Sequence, residues 1–329
     1  MALRFLDGFD HYTSLAQKYE IAGTGEIGST GGRTGNGYFG ASEFRKTLAA
    51  NTQWIVGCAF RIPSPLVINN AIIRLYEQMP GGPQITVTFD TDYRFRVRRG
   101  GDGGTIIGAS TNSFVLNAWY YIEFKVTIHS TAGSFELRVN GTTETSASSV
   151  NTRGGSQDAT DRVGFSGGGT VKHFDDIYIC DGDGSTHNDF LGDCKILTLF
   201  PNGAGNYTQW TPSTGSNWQN VDDNPPNGDT DYNSTSTATN KDTYALSDIT
   251  LTGNVKGIQV LAMMRKDDAG SRSSRLLIRT ASTDYSGPTV GHSDNYVYLR
   301  NVWQNNPNTS AAWTVAQVNA LEAGVELVS

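Results

Sequence analysis

Short apolar segments separated by glycine-rich turns dominate the first 195 residues, and they constrain the fold more than any other feature. Aromatic and β-branched residues concentrate in residues 54–62, 71–76, 84–89, 93–98, 119–128, 134–139 and 174–179. Such residues favour strands. Turn residues that adopt positive φ fall between them, as in Asn140-Gly141 and residues 100–104. The pattern predicts an all-β fold, with an antiparallel jelly-roll β-sandwich at residues 1–195.

Alternation within two segments predicts which side chains face the core. Residues 94–98 alternate arginine with Phe95 and Val97, which predicts one apolar face and one arginine face in water; contact of these arginines with an acidic neighbour is the alternative. Trp119 opens the segment that contains Ile122 and Phe124. We therefore expect the Trp119 side chain to lie in the sandwich core.

The length of 329 residues is about twice that of a usual domain, and the composition changes after the sandwich. Residues 196–240 lack Lys and Arg and contain Pro225-Pro226. This composition predicts an extended acidic arm or linker. Its large aromatic residues, Tyr207, Trp210 and Trp218, predict that the arm packs on a surface, and they are candidate interaction residues.

Residues 241–329 form the third predicted segment, a smaller β-domain. Strands are expected at residues 248–252, 257–265, 274–280 and 295–301. A short helix is expected at residues 314–322, with Thr314 as its cap, Gln317 at the capping-box position and Gly324 at its end. Trp313 lies just before this helix and is a further candidate interaction residue.

Charge and hydropathy exclude two classes of partner. The 25 Lys and Arg residues against 32 Asp and Glu residues give a net charge of -7, so we expect neither nucleic acid nor an anionic membrane surface as a partner. The longest apolar runs are far shorter than the roughly 20 residues that span a bilayer. Asp7 and Asp10 interrupt the amino-terminal apolar stretch, which predicts that no signal peptide is present.

A loop rich in aspartate and glycine follows the last predicted strand of the sandwich. Asp181, Asp183 and Asp189 place carboxylates at intervals compatible with a calcium loop, although no bidentate Glu follows. A polar turn stabilised by aspartate side chains is the alternative. Cys180 and Cys194 flank the loop; free thiols are favoured, and a disulfide between them stays open. No other cofactor is predicted.

Three segments, residues 116–126, 133–141 and 174–179, resemble the concanavalin A-like lectin/glucanase (laminin-G-like) jelly roll. The resemblance covers about residues 3–190 and implies a fold that serves lectins, glucanases and structural modules. A retaining glucanase needs two carboxyl groups about 5 to 5.5 Å apart. No Glu of this chain has an Asp two residues further on, as the glucanase strand would. We therefore expect that the chain is not an enzyme.

The ending, residues 312–315 through 323–327, resembles the carboxyl-terminal segment of tailed-bacteriophage virion proteins that also carry a lectin-like jelly roll. This resemblance implies a structural or interaction protein of a phage particle, as a capsid decoration or tail component. It would be located in the virion, form a homo-oligomer and contact other virion proteins. Two alternatives stay open: a carbohydrate-binding module for host or environmental glycans, and a divergent glycoside hydrolase.

Overall fold

The computed structural model describes residues 2–66 and 68–329. The chain divides into two compact units, residues 1–196 and 197–329. Antiparallel strands make up almost all of the regular structure, with one short α-helix near the carboxyl end. The predicted all-β class is confirmed. None of the described helices is long and apolar enough to cross a membrane.

The first unit consists of two antiparallel sheets. Its strands are β1 (Ala2–Asp7), β2 (Glu26–Gly28), β3 (Gly37–Gly40), β4 (Phe44–Asn51), β5 (Gln53–Arg61), β6 (Asn70–Glu77), β7 (Pro83–Phe89), β8 (Phe95–Arg99), β9 (Thr105–Ala109), β10 (Tyr120–Thr127), β11 (Gly133–Val139), β12 (Thr142–Val150), β13 (Thr160–Phe165) and β14 (Lys172–Asp181). An eight-stranded sheet has the order β12-β11-β10-β5-β14-β3-β2, with β1 paired to β14. A six-stranded sheet has the order β4-β13-β6-β7-β8-β9. The first unit is therefore a β-sandwich.

Aromatic side chains from both sheets form the sandwich core. Phe60 of β5 meets Phe89 of β7 and Phe95 of β8, with ring centroids 6.1 and 6.2 Å apart. All three are at most 1% exposed. Successive residues of a strand point to opposite faces, so Ala59 and Arg61 lie on the outer face of the eight-stranded sheet.

One buried ion pair anchors the loop that follows β1. The Asp7 carboxylate accepts hydrogen bonds from the hydroxyls of Tyr12 at 2.6 Å and Tyr19 at 2.7 Å. It also accepts one from Lys18 Nζ at 2.7 Å. Both members of the Asp7–Lys18 pair are shielded from solvent, and burial of such charges is tolerated only when they are fully hydrogen-bonded.

The core assignment of Trp119 is wrong. Trp119 precedes β10 and is partly exposed, with the Arg61 guanidinium 5.1 Å from its ring centroid. The buried residues Ile122 and Phe124 are even-numbered, so the strand period of two places Tyr120, and not Trp119, on their face.

The arginine face of β8 is not simply solvated, as the alternation predicted. Arg96 Nη1 donates to Asp90 Oδ2 at 2.7 Å, and Arg98 pairs with the same carboxylate. Arg98 is only 7% exposed. Neighbouring acidic side chains, which the alternation within one strand cannot reveal, account for the difference.

The second unit has its own sheets and core. Its strands are β15 (Pro201–Thr208), β16 (Thr211–Pro212), β17 (Asn233–Ser234), β18 (Lys241–Leu246), β19 (Ile258–Met264), β20 (Ser273–Thr280), β21 (Thr283–Ser286), β22 (Val290–Gly291), β23 (Val297–Trp303) and β24 (Glu322–Leu327). The main sheet has the order β15-β18-β24-β20-β21, with β22 paired to β20; β16 pairs with β17, and β19 with β23. Its hydrophobic cluster contains Leu276, Ile278, Leu299, Trp303, Trp313, Val318, Leu321 and Val325.

The predicted arm at residues 196–240 needs correction. Part of it is β15, which pairs with β18 at the edge of the second unit's main sheet. Trp210 packs against the hydrophobic cluster of the same unit. The segment lacks Lys and Arg, but its alternating small and polar residues suit an edge strand. The Trp210 side chain packs within its own unit.

The carboxyl end differs from the predicted helix of residues 314–322. The helix α1 covers only Val315–Asn319, and its predicted cap is confirmed: Gln317 N donates to Thr314 Oγ1 at 3.2 Å. From Glu322 the chain forms β24, which lies between β18 and β20. Gly324 does not end the helix; a Cβ there would lie 2.0 Å from Asp242 O, so close strand packing requires glycine.

The predicted strand at residues 248–252 is likewise wrong. These residues lie outside the strands, and the strand of this region is β18, which ends at Leu246. β18 carries the buried polar residues Asp242 and Thr243. Because its sequence is polar, β18 was not predicted as a strand, although it lies between the strands β15 and β24.

Candidate functional site

A polar groove lies on the outer face of the eight-stranded sheet of the first unit. Strand register builds it in rows, because Lys125 of β10 lies opposite Glu136 of β11, and Glu136 opposite Ser146 of β12. The next row joins Thr127 and Ser134 in the same way. Side chains two residues apart point to the same face, so these rows present a continuous polar surface.

The groove has a volume of about 580 Å³, which lies within the usual range of small-ligand sites. Gln53 of β5 continues the row that contains Thr127. Glycines 182 and 184 and Asn188, from the loop after β14, line the opposite side. Ser146 is exposed to solvent. The groove is therefore open and rich in hydroxyl and amide groups.

Charged groups at the groove are held by short contacts. Lys125 Nζ lies 3.2 Å from Asp189 Oδ1. Glu136 Oε1 accepts hydrogen bonds from Arg138 Nε at 2.7 Å and from Thr143 Oγ1 at 2.6 Å. Both Lys125 and Glu136 thus have polar partners on the floor of the groove.

The protonation state of Glu136 limits what the groove does chemically. Partial burial alone would raise the pKa of Glu136, but the hydrogen bonds from Thr143 and Arg138 outweigh it and hold the pKa below its usual range. The carboxylate is therefore ionised near neutral pH and accepts hydrogen bonds. A carboxyl group that acts as a general acid needs the opposite shift. The arrangement suits the binding of a polyhydroxylated ligand.

The three candidate calcium ligands have protein partners. Asp181 Oδ2 accepts from Arg4 Nε at 2.6 Å, and Asp183 Oδ2 from Arg4 Nη2 at 3.0 Å. Asp189 is the partner of Lys125. Within residues 2–66 and 68–329, no group of three or more His, Cys, Asp and Glu side chains is placed to hold a metal ion. The structure thus pairs these carboxylates with arginine and lysine.

The cysteines near this loop do not form a disulfide among the described residues. Cys180 is buried and Cys194 partly buried, and each is present as a thiol, as is Cys58. Burial raises the pKa of Cys58 and Cys180. These two thiols therefore stay protonated and unreactive.

The candidate interaction residues from the segment 196–240 lie within the second unit. Tyr207 of β15 has the Lys241 ammonium 5.0 Å and the Arg279 guanidinium 5.5 Å from its ring centroid. Trp210 is partly buried, and its Nε1 donates to Asn240 O at 3.2 Å. Tyr207 thus lies close to two cations, and Trp210 packs against the cluster of its own unit.

The two remaining candidates are placed differently from each other. Trp218 is partly buried in the 3-10 helix Asn217–Asn220. Trp313 is only 3% exposed, and its Nε1 donates to Trp303 O at 3.0 Å. Trp313 is therefore a core residue of the second unit.

Sequence reasoning missed the groove, although a signal for it was present. Lys125 and Thr127 alternate with Phe124 and Val126, and Ser134 alternates with Phe135. These alternations give polar outer faces to two strands that are joined by a short turn. The missing information was the register of β12 and the position of the loop after β14.

Comparison with known proteins gives likenesses of fold only. No protein-family model matches the chain, and no curated protein matches it. Cellulose-induced protein Cip1 matches with 15% identity and a TM-score of 0.40, over 54% of this chain and 97% of that protein. Alginate lyase Aly36B matches with 13% identity and a TM-score of 0.32, over 44% of this chain and 83% of that protein.

A sialidase of Trypanosoma rangeli matches with 12% identity and a TM-score of 0.35, over 47% of this chain. The match spans only 27% of the sialidase. Because all three identities are below 25% and all three TM-scores below 0.5, we transfer no activity from these proteins.

Proposed function

We propose that this chain is a non-enzymatic structural and interaction protein of a tailed-bacteriophage particle, and that it assembles as a homo-oligomer. The sequence resemblance of the carboxyl-terminal segment supports this proposal. The residues that carry it include the buried Trp313, the helix α1 and the interior strand β24. Because these residues help to form the core of the second unit, the resemblance concerns the fold of that whole unit. A resemblance confined to a surface loop would not.

The structure also offers a test of assembly. Deletion of residues 313–329 removes β24 from between β18 and β20, so the second unit should lose its fold while the first unit keeps its own core. Circular dichroism and limited proteolysis would show the sandwich intact. Particles that assemble when only the truncated chain is supplied should not contain it. Incorporation of the truncated chain at the same level as the intact chain would contradict a role of the second unit in assembly.

The groove favours a second candidate function, glycan binding by the first unit. Its supporting observation is the floor built from Lys125, Glu136 and hydroxyl side chains in a volume of about 580 Å³. Sugars present many hydroxyl groups, which such a floor would bind through hydrogen bonds. This candidate is compatible with the first, because the groove and the carboxyl-terminal segment belong to different units.

Glycan-array binding followed by titration calorimetry tests the groove. Lys125→Ala and Glu136→Gln should each weaken binding at least tenfold, because each removes a charge-assisted hydrogen bond worth about 1.5 to 3 kcal/mol. Arg153→Ala is the matched control, since Arg153 also pairs with an acid, Asp158, at 3.1 Å in the same unit. Absence of binding by the intact chain, or equal loss in the control, would contradict the glycan candidate.

A further inference from the structure

The outer face of the eight-stranded sheet is covered in its middle by other parts of the first unit. On β10, the outward residues Tyr121 and Glu123 are only 2% and 1% exposed. The Arg33 guanidinium lies 5.3 Å from the ring centroid of Tyr121. Gly192 N donates a hydrogen bond to Glu123 Oε1 at 2.8 Å. The groove lies at one end of this covered stretch, and the partly exposed Trp119 lies at the other.

A row of aromatic and basic side chains crosses the face at the Trp119 end. Arg61 of β5 lies opposite His173 of β14, and His173 lies opposite Phe39 of β3. Trp119 extends the row beyond Arg61, whose guanidinium is 5.1 Å from the Trp119 ring centroid. Trp119 and Phe39 are both partly exposed. These four residues, here called the Trp119 row, span three strand spacings, or about 14 Å.

Arg61 is held in place by groups that do not neutralise its charge. Its Nη2 donates to Thr30 O at 3.2 Å and to His173 Nδ1 at 3.1 Å. Burial, and then the charge of Arg61, lower the pKa of His173, so this imidazole is uncharged near neutral pH. Among the residues that the structure describes, no carboxylate pairs with Arg61, and its Nε has no hydrogen-bond partner. By contrast, Arg4 and Arg33 of the same unit pair with aspartates.

A positioned, uncompensated guanidinium beside an exposed ring suits a ligand that has both a negative charge and a flat apolar face. Guanidinium groups bind carboxylates through paired N–H donors, and stacking on an aromatic ring orients them. Sugar rings present C–H groups that pack flat on tryptophan. A stable protein partner would need about 800 Å² of surface on each side, far more than a row about 14 Å long provides.

The other end of the row indicates where the negative charge of the ligand would lie. Glu26 of β2 lies opposite Phe39 and is exposed. Its carboxylate would repel a negative charge placed at Phe39. The carboxylate of a ligand is therefore expected at Arg61, with an uncharged part of the ligand towards Phe39.

We propose that the Trp119 row binds a carboxylate-bearing sugar chain, of the uronic-acid class, with a sugar ring on Trp119 and its carboxylate on Arg61. The site goes beyond the groove and does not depend on it, because the covered stretch at Tyr121 and Glu123 separates the two.

Titration calorimetry of the full chain with uronic-acid tetrasaccharides of different sugar and linkage tests the proposal, each acid being compared with its uncharged methyl ester. At least one acid should bind, and its ester should bind at least tenfold more weakly, because the charge-assisted hydrogen bond is lost. Absence of binding by every acid at millimolar concentration, or equal binding of acid and ester, would overturn the proposal.

A tetraglutamate peptide presents carboxylates without sugar rings and should bind at least tenfold more weakly than the acid. Binding of this peptide as tight as that of the acid would assign the Trp119 row to acidic peptides and overturn the sugar assignment.

Variants locate the site. Trp119→Ala and Arg61→Ala should each weaken binding of the acid at least tenfold, with the fold checked by circular dichroism. Arg94→Ala removes another exposed arginine of the first unit and, as the matched control, should bind like the intact chain. Undiminished binding by both Trp119→Ala and Arg61→Ala would refute the site. Trp119→Ala decides alone if Arg61→Ala does not fold, since the Trp119 ring lies outside the core.

Lys125→Ala separates this site from the groove. It should leave binding of the acid unchanged. Loss of binding in Lys125→Ala, with none in Arg61→Ala, would place the acid in the groove, so the proposal for the Trp119 row would fail while the glycan candidate for the groove would stand.

Discussion

Replacement of Trp313 by Ala should unfold or strongly destabilise the second unit. The Trp313 side chain is 3% exposed within a cluster that includes Trp303 and Val325, and it donates a hydrogen bond to the Trp303 carbonyl. Truncation of a buried tryptophan costs about 3 to 5 kcal/mol. Loss of the hydrogen bond adds about 1 kcal/mol, so we expect a loss of about 4 to 6 kcal/mol. The total free energy of unfolding of a domain is about 5 to 15 kcal/mol, so this loss is a large part of it.

The measurement is urea denaturation monitored by hydrogen exchange of peptides from β20 and β24, which report on the second unit alone. Trp313→Phe retains an aromatic ring and loses the hydrogen bond, so it should be destabilised clearly less than Trp313→Ala. Trp218→Ala is the control for loss of a tryptophan that is only partly buried. A Trp313→Ala protein within 1 kcal/mol of the intact chain would refute the core assignment, and with it the importance of the carboxyl-terminal segment.

Three further predictions concern other positions. Gly324→Val should prevent folding of the second unit, read by circular dichroism, because its Cβ would lie 2.0 Å from Asp242 O. Asp7→Asn should cost about 3 to 5 kcal/mol, since it leaves Lys18 buried without its counter-ion. Burial alone would raise the pKa of Asp7, but the charge of Lys18, the interaction with His11 and the hydrogen bonds from Lys18 and Tyr12 together outweigh burial and lower the pKa. The stabilisation is therefore present above the ordinary pKa and is lost as the pH falls through the lowered pKa of the folded protein, and acid denaturation of the variant should lack this component. Trp119→Ala should change the melting temperature by only a few degrees because the ring is partly exposed. A loss of stability as large as that for a buried tryptophan would instead support the assignment of Trp119 to the core.

Much of the first unit was predictable from local pattern. The apolar segments coincide with β5, β6, β7, β10 and β11 within one or two residues, because both alternation and β-branched content mark strands that border a core. Trp119 was assigned to the wrong face of its strand because the alternation was counted from a position one residue off. This shows how strongly a period of two depends on where counting begins.

The second unit was harder to predict because its buried strands are not apolar. β18 contains Lys241 and Asp242, and β15 contains glycine and asparagine, so both were taken for irregular chain. Residues 322–327 satisfied the pattern of a helix end through Gly324, although that glycine serves close strand packing. Pairing partners distant in sequence decide such cases, and local propensity is too weak to override them.

The candidate site was predictable only in part. The groove depends on the register of three strands and on a loop placed beside them. Sequence alone gives the residue types at these places and not the distances between them.

Quantitative mass spectrometry of phage particles, purified from the source of this chain by density gradient, tests the central claim most directly. The account predicts that the chain is present at a fixed copy number relative to the major capsid protein and remains bound after a high-salt wash. Immunogold labelling would then place it on the capsid or the tail. Absence of the chain from intact particles, with the chain recovered only as free protein in the lysate, would contradict the account.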